Sequence, residues 1–449
     1  MDNKRILYKK IIIVAFPIIL QNIMDAAVNS ADVLMLNYVG QDAISAVSLA
    51  NSFIGILFMF LYGIGTGIAM LAAQYYGKGD IKTIEKIQGI GQRFALGVAV
   101  IGAVGCMAAP RYIMLIYTSD ETLIGLGAKY LLYLSPGLLF WAISAVYMSI
   151  LRCIDRVGTA TVLEAIALVS NVVLNAVFIF GLFGVPKLGV VGVGIATTLS
   201  RLLQLAACVI VSASGAKVRL SFVNLFKIHR VLQKDFFRMA LPAIANDLIW
   251  AVAFSMYSVI LGHLGNDAVA ANSIATVVKN LGTVLCFGFA AAAGIVVGQI
   301  LGKGEREEGI KVSRIFLRLA FVTGIAGGLI VLAIMPFALR YASVSDTALD
   351  YLKFMLLVNS YYITGISVNT CLIVGVFRAG GDSRFGFICD TVDMWLYAVP
   401  LGLLAAFVFK LPVKIVYILL CTDEFVKWPW VLKHFYSFKW ARNITRDNL

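Results

Sequence analysis

Four polar residues, Asn22, Asp25, Asn29 and Asp32, fall at i, i+3, i+7 and i+10 in a run otherwise made mostly of Ile, Leu, Val, Met and Ala. On a helix, that spacing draws one polar stripe along one face. A charged side chain at the centre of a lipid-buried helix costs about 2.5 to 3.5 kcal/mol on insertion scales, so the stripe must face a cavity or polar neighbours. Removal from water favours the neutral form of a carboxyl, which suits Asp32 or Asp25 to loading and releasing a proton, or to binding Na⁺. The other role open to either acid is hydrogen bonding that holds neighbouring helices together.

Partners for such a site are present further along. Asn171 and Asn175 stand at i and i+4, so their amides share a face, and Thr197 or Thr198 supplies a hydroxyl from the next apolar run. Oxygen ligands of this kind suit a hard cation, although paired amides also serve as packing devices. Asp247, Trp250, Phe254 and Tyr257 form a second stripe with one acid and three aromatics. A carboxylate beside aromatic faces suits a lipophilic organic cation, and the same rings suit a core or a lipid contact equally well. Lys279, at the centre of an apolar run, needs an acid, for which Asp247, Asp390 and Asp393 are candidates. Asn22, Asn29, Asp247, Trp250, Phe254, Tyr257 and Lys279 are therefore assigned to a substrate cavity. Glu164, Asp390 and Asp393 fall nearer the ends of their runs, where snorkelling lowers the cost. Pro17 and Pro242 each remove a backbone hydrogen bond inside an apolar run and predict kinks.

The elements that must position these residues are membrane helices. The chain of 449 residues is 61% hydrophobic and 14% charged, with mean hydropathy +0.91. Spans long enough to cross a bilayer are predicted at 10–38, 44–75, 87–110, 124–150, 160–183, 189–212, 238–262, 268–300, 312–336, 349–376, 386–409 and 412–432. The fold class is an all-α polytopic membrane protein of twelve transmembrane helices in two six-helix lobes. Alternating the loops puts 28 of the 37 Lys and Arg on or near one side, seven on or near the other and two (Arg201, Lys279) deep inside spans. That positive-inside bias places both termini in the cytoplasm and accounts for the +13 charge without nucleic acid. The first apolar run continues through Pro17 and carries Asp25 and Asp32, so it reads as a retained span rather than a signal peptide. The seven cysteines are scattered without a CxxC pair, which indicates neither a disulfide framework nor a zinc site.

An internal repeat organises the chain. Under a shift of 225, residues 15–79 overlie 240–304 without a gap, with 17 of 65 positions identical. The matches include Pro17 with Pro242, Gly40 with Gly265, Asp42 with Asp267, and Gln74, Gly77, Lys78 and Gly79 with Gln299, Gly302, Lys303 and Gly304. Six spans per half give both copies one orientation, hence a pseudo-twofold axis along the membrane normal with substrate between the halves. The expected organisation is an N-terminal lobe 1–212, a cytoplasmic linker 213–235, a C-terminal lobe 236–434 and a tail 435–449. The basic linker is suited to anionic lipid headgroups. Under the same shift, the stripe Asn22, Asp25, Asn29 and Asp32 becomes Asp247, Trp250, Phe254 and Tyr257.

At these residues the chain resembles the multidrug and toxic compound extrusion (MATE) antiporters of prokaryotes, over nearly its whole length. The likeness is carried by AFP at 15–17, by Asp32 and the following LNYVGQDAISAVS, by AAQYYGKGD at 72–80, and by LRCIDRVGTA at 151–160. SNVVLNAVFIFGLFGVPKLGVVGVGIATTLSR at 170–201 is its most specific part, and ALPAIANDLIW, VVGQILGKGE and FRAGGDSR continue it in the second half. The resemblance implies a V-shaped pair of lobes, alternating access, and efflux of amphipathic, often cationic compounds against inward H⁺ or Na⁺. It implies that Asp32, Asn171 and Thr197 or Thr198 build a cation site in the first lobe. Asn175 stands where several relatives carry Asp, which leaves Asp32 as the sole matched acid and favours H⁺ over Na⁺. No cofactor is implied; the partners are small-molecule substrates and membrane lipids, and a monomer suffices because both lobes lie in one chain. The implied location is the cell membrane.

Two other readings compete. A lipid-linked oligosaccharide flippase shares the lobe architecture, but is expected to line its cavity with more Arg and Lys than the lone Lys279. A membrane-embedded enzyme is disfavoured because the three histidines, His229, His263 and His434, lie in loops or at helix ends, away from any Ser or Cys nucleophile in the spans. GxxxGKG at 298–304 lacks the Ser or Thr of a phosphate loop, so ATP is not the expected energy source.

Overall fold

A computed structural model describes residues 2–215, 217–220, 222–342 and 344–447. The side chain of Asn29, one of the stripe residues, lies outside the described set. The first half folds as α1 (Asp2–Asn37), α2 (Gln41–Lys78), α3 (Ile81–Ala108), the short α4 (Pro110–Leu115), α5 (Glu121–Cys153), α6 (Val157–Phe180) and α7 (Gly189–Ala213). A one-turn helix, α8 (Phe222–Phe226), precedes α9 (Arg230–Gly262), α10 (Asn266–Gly302), α11 (Arg306–Tyr341) and α12 (Asp346–Thr370). The chain then continues through α13 (Ser383–Asp390), α14 (Val399–Leu403), α15 (Val413–Leu420), α16 (Asp423–Val426) and α17 (Trp428–Ser437). No strand occurs among the described residues.

The helix ends follow from local chemistry. Gly40 and Gly265, partners in the repeat, turn the chain at φ 132° and 121°, a region open to glycine and costly for other residues. Each is followed by an acid in the first turn of the next helix, Asp42 and Asp267, which favours the positive end of the helix dipole. Asp80, Asp120 and Ser345 cap α3, α5 and α12 by accepting backbone N–H groups that the first turn leaves unpaired. Both α1 and α9 run without interruption through Pro17 and Pro242.

Among the described residues, eleven helices are long and apolar enough to cross a membrane. The twelfth predicted segment is broken into α15, α16 and α17, with Cys421 and Thr422 breaking the first junction and Lys427 the second. Three π-helical stretches, Cys371–Phe377, Thr391–Ala398 and Leu404–Val408, interrupt the α-helices before it. A π-turn forgoes i→i−4 bonding and is found disproportionately at functional positions.

The chain divides into two compact units, one of residues 1–19, 73–79 and 238–447 and the other mainly of 20–72 and 80–237. In the second of these, α5 packs along α3 and α7, and α7 along α6. In the first, α10, α11 and α12 pack on one another at glycine contacts: a Cβ on Gly327 would strike the Gly282 carbonyl, and one on Gly328 the Ser360 carbonyl. The end of α2 crosses α10 in the same unit. A Cβ on Gly77 would strike the carbonyl of Gln299, and one on Gly302 the carbonyl of Gln74. These four residues exchange roles under the 225-residue shift, so the sequence repeat is a local twofold at this crossing.

Candidate functional site

The first polar site lies among α1, α6 and α7. Asn175 Nδ2 donates to Asp32 Oδ1 at 2.8 Å and to Asn171 Oδ1 at 3.2 Å. Asn171 Nδ2 in turn donates to Thr197 Oγ1 at 3.2 Å, and that hydroxyl donates to the Val193 carbonyl at 2.9 Å. The i, i+4 spacing on α6 places both amides on one face, and α7 presents Thr197 to it. Thr198 is turned elsewhere: its hydroxyl donates to the Tyr133 and Leu134 carbonyls of α5 at 2.7 and 3.3 Å. The structure therefore brings together Asp32, Asn171, Asn175 and Thr197, and gives Thr198 to helix packing.

One atom in this run of hydrogen bonds is left without a partner. Asn175 is 1% exposed, and its Oδ1 is buried with no donor. An unmet buried acceptor costs about 1 to 3 kcal/mol, so the atom is poised toward a proton donor or a cation. As a donor set for Na⁺ the residues are thin. The oxygens of Asn171 and Thr197 already accept hydrogen bonds, leaving the Asp32 carboxylate and Asn175 Oδ1 for an ion that takes several oxygens. A proton needs only the carboxyl.

Asp25 belongs to another cluster. Its carboxyl lies within electrostatic reach of Glu164, Arg201 and Arg152. Arg201 pairs with Glu164 at 3.0 Å, and Gln204 donates to the other Glu164 oxygen at 2.9 Å. Arg152 donates to Gln21 at 3.0 Å, and the Arg201 guanidinium lies over the Trp141 ring at 5.6 Å. Glu164 is 7% exposed and held by the half-buried Arg201, which corrects the expectation that it snorkels toward a helix end. Asn22 is half-buried on the same face of α1.

The second stripe also separates into parts. Asp247 pairs with Arg378 at 2.6 Å, and Arg378 also donates to Asn246. Trp250, Phe254 and Tyr257 form a ladder with ring centroids 4.3 and 5.3 Å apart, and the Tyr257 hydroxyl donates to Asp423 at 2.9 Å. The Lys279 ammonium lies 4.9 Å from the Phe254 ring centroid. The acids expected to pair with Lys279 are taken by other bases: Asp247 by Arg378, and Asp390 and Asp393 by Lys427. Asp390 and Asp393 are each 5% exposed, so they do not snorkel either. Among the described residues, no carboxylate stands within ion-pair distance of Lys279.

Sequence reasoning missed Arg378 and Lys427 as buried bases; they are 2% and 4% exposed. The available signal was the companion acids: Asp390, Asp393, Asp423 and Glu424 crowd the end of the chain where only a buried base could balance them.

A family model described as MatE matches residues 17–177 and 242–404, one match in each half of the repeat. The probable multidrug resistance protein NorM of Agrobacterium fabrum is 22% identical over 415 residues, covering 90% of this chain and 87% of that protein. An uncharacterized transporter of Bacillus subtilis, YisQ, is 24% identical over 422 residues, covering 92% and 90%. Among solved structures, a MATE protein in a bent conformation aligns with TM-score 0.85 at 20% identity over 96% of both chains. A mutant of the Vibrio cholerae MATE transporter VcmN aligns with TM-score 0.88 at 14% identity, over 98% of this chain and all of that one. With a model match in each half and this fold, the chain belongs to the MatE family.

Proposed function

We propose that this protein is a secondary active antiporter of the cell membrane that exports small amphipathic, cationic compounds in exchange for protons by alternating access. The observation that carries the reading is the Asp32 carboxyl, held by Asn175 inside a helical unit otherwise built of apolar spans. Such a carboxyl can alternate between a protonated state and an anionic one that the Asn175 amide stabilises. The two uncommitted oxygens favour H⁺ over Na⁺ as the coupling ion. The names of the multidrug resistance relatives support export of organic compounds. The aromatic ladder Trp250, Phe254 and Tyr257 offers π-faces for a cationic substrate. In this reading both termini are cytoplasmic, residues 1–212 and 236–434 form the two lobes joined by the linker 213–235, and a single chain with its lipids is sufficient.

The lipid-linked oligosaccharide reading needs free bases for a diphosphate. Arg378 and Lys427 are committed to carboxylates, and Lys279 is a single ammonium set against aromatic rings. The two readings part on one experiment: ethidium efflux from proteoliposomes under an imposed pH gradient and, separately, a Na⁺ gradient. Efflux driven by the pH gradient alone is expected. No efflux under either gradient would overturn the antiporter reading.

A further inference from the structure

One buried cluster of the C-terminal unit carries more acids than bases. Lys427 Nζ lies 3.1 Å from Asp390 Oδ1, 3.2 Å from Glu424 Oε1 and 3.7 Å from Asp393 Oδ2, with Asp423 adjacent in sequence to Glu424. Three carboxyls thus pair with one ammonium and a fourth, Asp423, lies within its electrostatic reach, while Arg378 pairs with Asp247. Lys279 is within electrostatic reach of Asp423 and Glu424, and even with it the cluster keeps more acids than bases. In a medium that cannot solvate charge, such a surplus is met by bound protons or cations.

Hydrogen bonding separates the four carboxyls. Asp423 accepts from Tyr257 on one oxygen, and from Tyr362 and the Glu424 backbone N–H on the other. Glu424 is bonded through Lys427 and through Asn369 at 2.6 Å, and Asp390 through Lys427 and through Asn246 at 2.7 Å. Each of these three has both oxygens held by donors, the pattern that stabilises an anion. Asp393 is 5% exposed, and neither of its oxygens has a hydrogen-bond partner, although it is aimed at the same ammonium. Asn369 Oδ1, on the amide that holds Glu424, is likewise buried without a donor. Asp393 also sits in the π-helical stretch Thr391–Ala398, where the backbone departs from regular α-helix.

We infer that Asp393 is a second proton-carrying carboxyl, in the C-terminal unit, separate from Asp32, with Lys427 as its counter-charge. One proton adds to a carboxyl oxygen to give the neutral acid, and on release the anion is held by Lys427. The groups facing it are Lys427, Asp390, Asp423 and Glu424, with the Tyr257 hydroxyl and the Cys389 thiol close by. All but Lys427 are acids or weak acids, so the anion is tolerated only through that one base. The inference rests on the antiport reading for its role in coupling, but its protonation is measurable without transport.

The test is infrared difference spectroscopy on the reconstituted full-length protein across a pH jump, reading the carbonyl stretch of a protonated carboxylic acid. Wild type is expected to show two components, one lost in Asp32→Asn and the other in Asp393→Asn. Asp393→Glu, which keeps the carboxyl, is expected to shift that second component rather than abolish it. It serves as the reading if the Asn variant does not fold. A spectrum unchanged in Asp393→Asn, or unshifted in Asp393→Glu, overturns the inference. Loss of the second component on adding Na⁺ at fixed pH also overturns it, in favour of a metal cation. Ethidium efflux measured on the same proteoliposomes separates the two failures: a component that vanishes in Asp393→Asn while wild type shows no efflux refutes the antiporter and leaves the proton site standing.

Discussion

Asn175 donates one amide hydrogen bond to Asp32 at 2.8 Å while its own carbonyl oxygen stays buried and unpaired. The amide therefore stabilises the acid as an anion and offers an acceptor to whatever replaces the anion's charge.

Replacing that amide by an acid tests the relationship. In Asn175→Asp two carboxyls share the site, and like charges at this distance raise the proton affinity of the pair. The pH at which efflux is half-maximal is expected to move upward, and a Na⁺ response is expected to appear, both read in proteoliposomes. An unchanged pH profile would show that position 175 does not sense the charge at position 32.

The two threonines of α7 make a paired control. Thr197→Ala breaks the chain from Asn171 and is expected to shift the pH dependence of efflux. Thr198→Ala removes a bond to the α5 backbone and is expected to cost about 1 kcal/mol of stability, seen as a lower melting temperature, with the pH profile unmoved. Equal shifts in both variants would contradict the assignment.

Much of this was legible because helical periodicity is a strong signal. The spacing of Asn22, Asp25, Asn29 and Asp32 and the pair Asn171 and Asn175 picked out polar helix faces, and the repeat made Gln74 and Gly77 equivalent to Gln299 and Gly302, though not that they meet. The bases were not legible. Hydropathy gives Arg378 to a loop because it follows an apolar run, Lys427 falls among polar residues near the end of the last predicted span, and no local pattern shows that Asp247 lies 131 residues before its partner. Glu164 and Arg201, on neighbouring helices, posed the same problem at closer range.

The Asp247–Arg378 pair is expected to behave as a buried ion pair. Arg378→Met leaves an uncompensated carboxylate and is expected to destabilise by about 3 to 5 kcal/mol, whereas Arg378→Met with Asp247→Leu is expected to recover most of that loss. Thermal unfolding in detergent reads both. A double variant no more stable than the single one would contradict the pairing.

The α2 and α10 crossing admits no side chain. Gly77→Ala and Gly302→Ala each drive a Cβ into a backbone carbonyl, and each is expected to cost about 1 to 3 kcal/mol, measured by melting temperature. Similar losses in the two variants are expected because the contacts are equivalent under the repeat. A large loss in one alone would argue against that local symmetry.

Outside the spans, Asp382 accepts from His434 at 2.9 Å. Burial raises its proton affinity, but the His434 hydrogen bond and charge, with Arg442, outweigh this and hold the carboxyl below its usual value of 3.8. A depressed acid stabilises the fold above its unfolded value and loses that contribution as pH falls through the folded one. Melting temperature is therefore expected to fall more steeply toward acid pH in wild type than in Asp382→Asn. Parallel curves would show that the pair contributes nothing.

Uphill ethidium efflux by Asp32→Asn in proteoliposomes decides whether Asp32 couples the proton to transport. With an imposed pH gradient the variant is expected to pump no more than vesicles without protein, while still exchanging ethidium for ethidium across the membrane. Uphill pumping at the wild-type rate would contradict this coupling.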